Sequence, residues 1–216
     1  MTTFTRRLSA LAATFVLFSA SAPAAPAEDV AHLQQSWAQI KYQTPAASQE
    51  ARFAQLRDEA EQAVSRNAGN ADTLIWYAII ESTYAGAKGG LGALKYAKNA
   101  RASLERALAL DAGALGGSAY TSLGSLYYQV PGWPIGFGDD AKAQAFLKKG
   151  LAVNPDGIDA NFFYGDYLLR KGDAVNAERY LRHALQAAPR PGRKLADDGR
   201  RGEIAQLLDK IAAVKK

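Results

Sequence analysis

Side chains capable of acid–base, nucleophilic or metal chemistry are few in this chain of 216 residues, and their spacing does not bring them together. There is no cysteine, which excludes disulfides, thiolate metal ligands and cysteine nucleophiles. His32 and His183 are the only histidines, and neither has a serine or a carboxylate arranged around it in the sequence. Because catalysis needs a set of complementary groups held together, the sequence predicts a protein that is not an enzyme.

Two short segments suggest ligand chemistry, and both have simpler interpretations. Segment 86–92 contains Lys88 among glycines but lacks the spacing of a phosphate-binding loop, and no strand is predicted before it, so we interpret it as a turning loop. Asp139 and Asp140 have no spaced partner oxygens of the kind that Ca²⁺ requires. We expect them to cap the N-terminus of the next helix and to place a negative charge in its first turn. No metal ion and no cofactor is therefore predicted.

A set of small, leucine and proline positions recurs at an interval of thirty-four residues. Four positions are followed thirty-four residues later by a similar residue: Ala143 by Ala177, Leu147 by Leu181, Gly150 by Ala184 and Pro155 by Pro189. A fixed period of this length is typical of a solenoid of helical hairpins, in which each repeat buries its apolar face against its neighbours.

The repeated units resemble the tetratricopeptide repeat family. Tyr120-x2-Leu123-Gly124-x2-Tyr127, followed by Ala143-x3-Leu147 and Pro155, is similar to the family pattern W-x2-L-G-x2-Y…A-x3-F…P. The next unit keeps the same spacing with Tyr164-Gly165-x2-Leu168, Ala177-x3-Leu181 and Pro189. The resemblance spans about residues 30–190. It implies an all-α, right-handed solenoid of about three to four tetratricopeptide-like hairpins, followed by a capping helix.

The predicted helices follow the apolar periodicity and the turn residues. They cover 30–42, 44–67 (with Thr44 as its N-cap), 72–84, 94–110, 118–129, 140–153, 159–170, 174–187 and 195–214. We predict one domain over 28–216, divided into a divergent N-terminal hairpin at 28–70, repeats at 71–190, and a capping helix with a basic tail at 191–216.

Two hairpins carry insertions at the turn between their helices, at 86–92 and 130–138, so both should emerge on one edge of the solenoid, which is often a binding face. The second contains Trp133, Ile135 and Phe137, which are costly to expose. Two interpretations remain open for Trp133 and Phe137: they recognise a partner, or they fold back and cover the end of the core, which we slightly favour.

The family resemblance also implies a peptide-binding surface on the concave side, lined by the first helix of each pair. The positions placed there are Asp72, Ile75, Ile79, Ser118, Thr121, Ser125, Tyr128, Asp159, Phe162 and Asp166. Family members that clamp a peptide's terminal carboxylate use lysine, arginine and asparagine at such positions, and this chain has none there. We therefore expect a partly apolar, mildly acidic groove.

The first 27 residues have the pattern of a Sec-type signal peptide. Arg6 and Arg7 precede an apolar stretch at 8–20, which is too short to span a bilayer comfortably, and Ala25-Pro26-Ala27 forms a cleavage site. We expect cleavage after Ala27, a periplasmic or secreted protein beginning at Glu28, and no stable membrane insertion afterwards.

The net charge of +5 is spread along the chain, and no nucleic-acid partner is expected. The basic excess lies after residue 189, where Arg190, Arg193 and Arg200 belong to a group of eight cations facing four acids. We interpret this excess as a solvated helix face.

Two functional hypotheses follow. The first is an exported adaptor that binds a protein or peptide through its concave groove and inserted loops. The second is a small-ligand-binding or accessory component of a periplasmic transport system, because the export signal, irregular hairpins and aromatic loop loosely resemble the T-component associated with periplasmic TRAP transporters. An enclosed apolar cavity near Trp76, Tyr128 and Trp133 would favour the second hypothesis, and an open groove the first.

Overall fold

The computed structural model describes residues 26–214, so the predicted signal peptide, apart from Pro26 and Ala27, lies outside the described residues. This part of the chain folds into nine α-helices: α1 (Pro26–Gln43), α2 (Ala46–Arg66), α3 (Ala71–Lys88), α4 (Ala93–Leu110), α5 (Ala114–Gln129), α6 (Asp140–Val153), α7 (Ile158–Arg170), α8 (Ala174–Leu185) and α9 (Lys194–Val214). The predicted all-α solenoid of helical hairpins is confirmed.

The helix boundaries agree with the sequence predictions in most places and differ informatively at the starts or ends of α2 and α3. Helix α2 begins after Pro45 without a side-chain cap, so the prediction that Thr44 is its N-cap was wrong; the Thr44 hydroxyl donates instead to the Gln39 carbonyl. Helix α3 continues to Lys88, which shortens the first inserted loop. By contrast, Asp139 caps α6 as expected, because its side chain accepts from the backbone N–H of Lys142.

The start of α5 contains a kink that the periodicity does not reveal. Leu115, Gly116 and Gly117 all have positive φ, at 48°, 62° and 71°, before regular helix begins at Ser118. A left-handed conformation is costly for leucine and easy for glycine. The kink brings Gly117 against Val153, so that α5 packs closely on the end of α6.

Close helix approach within the hairpins depends on the two glycines of the repeat pattern. A Cβ atom on Gly124 would lie 2.6 Å from Leu147 Cγ, and one on Gly165 would lie 2.9 Å from Leu181 Cγ. Leu147 and Leu181 are buried and belong to the main core, which extends from α3 to α9. The glycine and leucine positions that repeat along the sequence therefore contact each other across each hairpin.

The last helix closes the array rather than only capping it. Helix α9 contacts α7 and α8, and it also contacts α1 at the other end of the chain. At this junction Gly199 lies against the Tyr42 ring, and the Tyr42 hydroxyl donates to Glu203 over 3.4 Å. The contact between the first and last helices joins the two ends of the array beside the concave face.

Candidate binding cavity

The concave side of the array forms a cavity of about 1300 Å³. Its wall comes mainly from α1, α3, α5, α7 and α9, with the two inserted loops at its edge. Pockets for single small molecules commonly measure about 300–1,000 Å³, so this cavity has room for a larger occupant.

Residues of both inserted loops line the edge of the same cavity, as expected from the common position of the loops in the hairpins. A Cβ atom on Gly136 would lie 3.3 Å from Leu94 Cδ2, so the second loop rests on the start of α4. Leu91 and Ile135 line the cavity while their side chains remain largely exposed, at 79% and 58%. This edge therefore presents apolar groups to anything that enters.

A row of hydroxyl groups runs along the cavity face of α5. Ser118, Thr121, Ser122 and Ser125 all line the cavity, at helical spacings that place them on one side of the helix. Two of these hydroxyls are already engaged, because Thr121 Oγ1 packs against Gly150 of α6 and the Ser118 hydroxyl donates to the Leu115 carbonyl. Further hydroxyl and amide groups come from the neighbouring elements: Gln34, Gln49, Ser82, Thr83, Gln129, Asn154 and Gln206. One wall of the cavity can therefore exchange hydrogen bonds with an occupant.

An aromatic wall stands at the end of the cavity where α1 meets α3. The Trp37 and Trp76 rings make an edge contact at 6.0 Å, and the Trp37 Nε1–H donates to the Thr83 hydroxyl over 2.9 Å. Both tryptophans are buried against the core yet border the cavity. They provide a rigid apolar surface, in which the Trp37 N–H already has its hydrogen-bond partner.

Beside this wall lies a cluster of charged side chains from α7, α9 and the segment between α8 and α9. Asp159 accepts from Arg190 Nη1 at 2.7 Å and from Arg200 Nε at 2.8 Å. Arg190 also pairs with Asp197 at 2.6 Å, and Arg200 pairs with Glu203 at 2.6 Å. These ion pairs connect α7 and the segment between α8 and α9 to α9, the closing helix.

Asp159 stays ionised because of these two arginines. Burial alone would raise the pKa of its carboxyl, but the charges of Arg200 and Arg190 outweigh that effect and lower the pKa to about 2. The Arg200 guanidinium lies 4.1 Å from the centroid of the Phe162 ring, which covers its face. Asp159 and Arg200 are thus held firmly in the cavity wall.

Arg193 lies in the same wall but without an acidic partner. No carboxylate of the described residues lies within ion-pair distance of it, and its buried Nε has no hydrogen-bond partner. Its guanidinium lies 4.9 Å from the centroid of the Trp76 ring. Burial lowers the pKa of Arg193 and the charge of Arg190 lowers it further, while Asp159 and Asp197 oppose this only in part.

The structure places five of the nine predicted partner-binding residues in the cavity wall. These are Ile79, Thr121, Ser125, Phe162 and Asp166. The placement of Ile75 on the concave surface was wrong, because its side chain is fully buried in the main core, one helical turn before Ile79. Tyr128 stands behind the wall and donates its hydroxyl to Asp166 over 2.8 Å.

The two aromatic residues of the second inserted loop have different environments, and neither lines the cavity. The Phe137 ring packs edge-on against Tyr127 at 5.7 Å and lies beneath the Arg101 guanidinium at 4.5 Å. Trp133 is 90% exposed. Phe137 therefore covers the core, whereas Trp133 does not, and partner recognition by Trp133 stays a prediction.

Sequence reasoning missed the arginines. We interpreted Arg190, Arg193 and Arg200 as part of a solvated helix face, but all three border the cavity. The expectation of a mildly acidic groove was consequently wrong: the wall contains the cations Lys41, Arg170, Arg190, Arg193 and Arg200, and the acids Asp159, Asp166 and Glu203. A sequence signal existed, since Arg190 and Arg193 flank the turn Pro191-Gly192 that leads into the closing helix.

Residues 26–214 contain no group of three or more His, Asp or Glu side chains placed to hold a metal ion. Within the same range, no helix combines the length and the apolar character needed to cross a bilayer.

No protein-family model matches the chain, and no curated protein does. Solved structures of similar arrangement include a MamA protein, at 16% identity and a TM-score of 0.44 over 86% of this chain and 91% of that one. A thermophilic TPR protein of Thermus thermophilus shows 16% identity and a TM-score of 0.46, over 85% of this chain and 99% of its own. PilF of Pseudomonas aeruginosa shows 16% identity and a TM-score of 0.36, over 87% of this chain and 89% of its own. At these values the function has to be inferred from the chain's own residues.

Proposed function

We propose that this protein is a non-catalytic adaptor whose cavity holds an extended segment of a partner protein. The observation that supports this most is the pairing of a hydroxyl-lined wall on α5 with an apolar and aromatic wall in one cavity of about 1300 Å³. An extended peptide brings a backbone donor and acceptor with nearly every residue, and these groups must find partners when they leave water. Ser122 and Ser125 on α5 supply such partners, while the exposed side chains of Leu91 and Ile135 at the cavity edge receive apolar side chains.

A second candidate is a small amphipathic ligand, carried as part of a transport system. The contact between α1 and α9 favours it, because a concave face whose two ends are joined surrounds a small molecule better than an open groove does. The number of polar groups in the wall favours the peptide instead, since the apolar part of a small amphipathic ligand would leave many of these groups without hydrogen-bond partners.

We further propose that the protein acts outside the cytoplasm, after removal of residues 1–27. This rests on the sequence pattern. Helix α1 begins at Pro26, so the cleavage would remove only Pro26 and Ala27 from its first turn. N-terminal sequencing of the exported protein should give Glu28, and recovery of the intact N-terminus from a membrane fraction would contradict the proposal.

The adaptor function can be tested by selecting peptides from a display library and measuring their affinities by calorimetry. Ser125→Trp fills the cavity beside the hydroxyl row, and we expect it to weaken the selected peptides at least about tenfold, because a filled cavity excludes the peptide. Ser48→Trp is the matched control, since Ser48 is exposed on α2 outside the cavity.

Equal affinities for the wild type, Ser125→Trp and Ser48→Trp would place the peptide site elsewhere and contradict the proposal. If no peptide is selected, and the purified protein instead releases a small molecule on denaturation, the second candidate is correct.

A further inference from the structure

Among the described residues of the charged cluster beside the closing helix, one guanidinium, that of Arg193, has no ion pair. Arg190 and Arg200 each contact two carboxylates, and Lys41 lies 3.7 Å from Glu203. The cluster thus contains the cations Lys41, Arg190, Arg193 and Arg200 and the acids Asp159, Asp197 and Glu203. The cluster therefore has one more cation than it has acids, and Arg193 is the cation without an ion pair.

Arg193 occupies a position that an entering ligand can reach. It lines the main cavity and also a smaller adjoining pocket of about 140 Å³, together with Gln34. The Trp76 ring covers the guanidinium on one side. A planar cation that is stacked and partly desolvated is well prepared to receive a planar anion, because little further ordering is required.

We propose that Arg193 binds a carboxylate of the peptide segment that occupies the cavity. This inference rests on the proposed function and specifies it: the partner segment carries an acidic side chain or a free C-terminus at the α1–α9 end of the cavity. A singly charged carboxylate matches the missing charge. A doubly charged phosphate would be repelled more strongly than a carboxylate by Asp159 and Asp197, whose charges act on Arg193.

Three short peptides distinguish the sources of the carboxylate. The first is acetyl-leucyl-seryl-seryl-leucine with its free C-terminus, the second is the same peptide as a C-terminal amide, and the third is the amide with aspartate in place of its second serine. In calorimetry at constant ionic strength, we expect the wild type to bind the first or the third peptide at least about tenfold more tightly than the neutral amide.

Substitution of Arg193 should remove this preference alone. In Arg193→Gln we expect the three peptides to bind within about twofold of one another, and in Arg193→Lys part of the preference should return because the charge is restored. Arg179→Gln is the matched control, since Arg179 lies on α8, away from the cavity, and should leave the preference unchanged.

Several results would overturn the inference. Equal binding of the three peptides by the wild type would do so while still supporting the adaptor function. A preference that persists in Arg193→Gln would assign the carboxylate to another residue. Failure of all three peptides to bind would also overturn the inference, and the library selection with Ser125→Trp would then decide the adaptor function separately.

Discussion

The Tyr42 ring on α1 lies directly against the backbone of Gly199 on α9, so closely that a Cβ atom on Gly199 would be 2.5 Å from three carbons of the ring. These residues belong to the first and last helices of the described chain. Their contact, with the hydrogen bond from Tyr42 to Glu203, holds the ends of the array together. This junction borders the cavity, since the cavity wall includes residues of both helices.

Alanine at Gly199 should open or strain this junction. We expect Gly199→Ala to lower the free energy of unfolding by about 1–3 kcal/mol, because the added methyl group overpacks the contact with Tyr42. Gly202→Ala in the same helix is the control: its Cβ would meet no atom within 4 Å, and alanine favours helix, so stability should stay equal or rise. Urea unfolding of both variants gives the comparison, and equal stabilities would show that the Tyr42 contact does not close the array.

Alanine substitutions of the two aromatic residues in the second inserted loop should differ in their effect on stability. Phe137→Ala should cost about 1–3 kcal/mol, less than a fully buried phenylalanine, because its ring packs on Tyr127 and is only partly buried. Trp133→Ala should leave the thermal midpoint nearly unchanged, since the side chain is 90% exposed. If Trp133→Ala also weakens a selected peptide, the exposed tryptophan takes part in recognition. A large loss of stability in Trp133→Ala would contradict the loop conformation.

Asp159 should make stability depend on pH in the acid range. Its pKa in the folded protein is about 2, below its ordinary value of 3.8, so its contribution is present above about pH 4 and is lost as the pH falls towards 2. Its side chain is 32% exposed, and after allowance for solvent screening we expect a contribution of about 1–2 kcal/mol. Denaturant titrations at several pH values should show this loss in the wild type and in the surface control Asp198→Asn. Asp159→Asn should lack it, and an identical acid dependence in that variant would refute the assignment.

Arg193 and Arg200 should differ in their effects on stability although both lie in one wall. Arg200→Gln leaves Asp159 and Glu203 without one of their partners and should destabilise by about 2 kcal/mol or more. Arg193→Gln removes a guanidinium that has no ion pair, so the thermal midpoint should stay the same or rise. Thermal melts of both variants test this difference. A marked loss of stability in Arg193→Gln would mean that the side chain serves the fold rather than a ligand.

The hairpins could be predicted from the sequence because the residues that define them act locally. Gly124 and Leu147, or Gly165 and Leu181, lie within one repeat, and their spacing alone indicates that they meet. The contact of Tyr42 with Gly199 joins residues far apart in the sequence, and no periodicity relates them. The same reason explains the missed arginines: Arg193 appears solvated until α9 is seen to return to α1 and Trp76.

The concave surface was predicted in part for a related reason. The family register places Ile75 and Ile79 on the same helix face, but the register does not say where the core ends and the cavity begins. In this chain Ile75 lies on the core side of that boundary and Ile79 on the cavity side.

The most direct test of the adaptor account is methyl NMR of the isoleucine-labelled protein during titration with a library-selected peptide. Ile79 and Ile135 line the cavity, whereas Ile40, Ile75, Ile80, Ile204 and Ile211 lie in the core; Ile158 borders the cavity but is buried in the core, so it belongs to neither group. We predict that the δ1 methyl signals of the first group shift on binding and that those of the second change little. Shifts confined to the second group, or spread equally over both groups, would contradict the claim that the cavity holds the partner's segment.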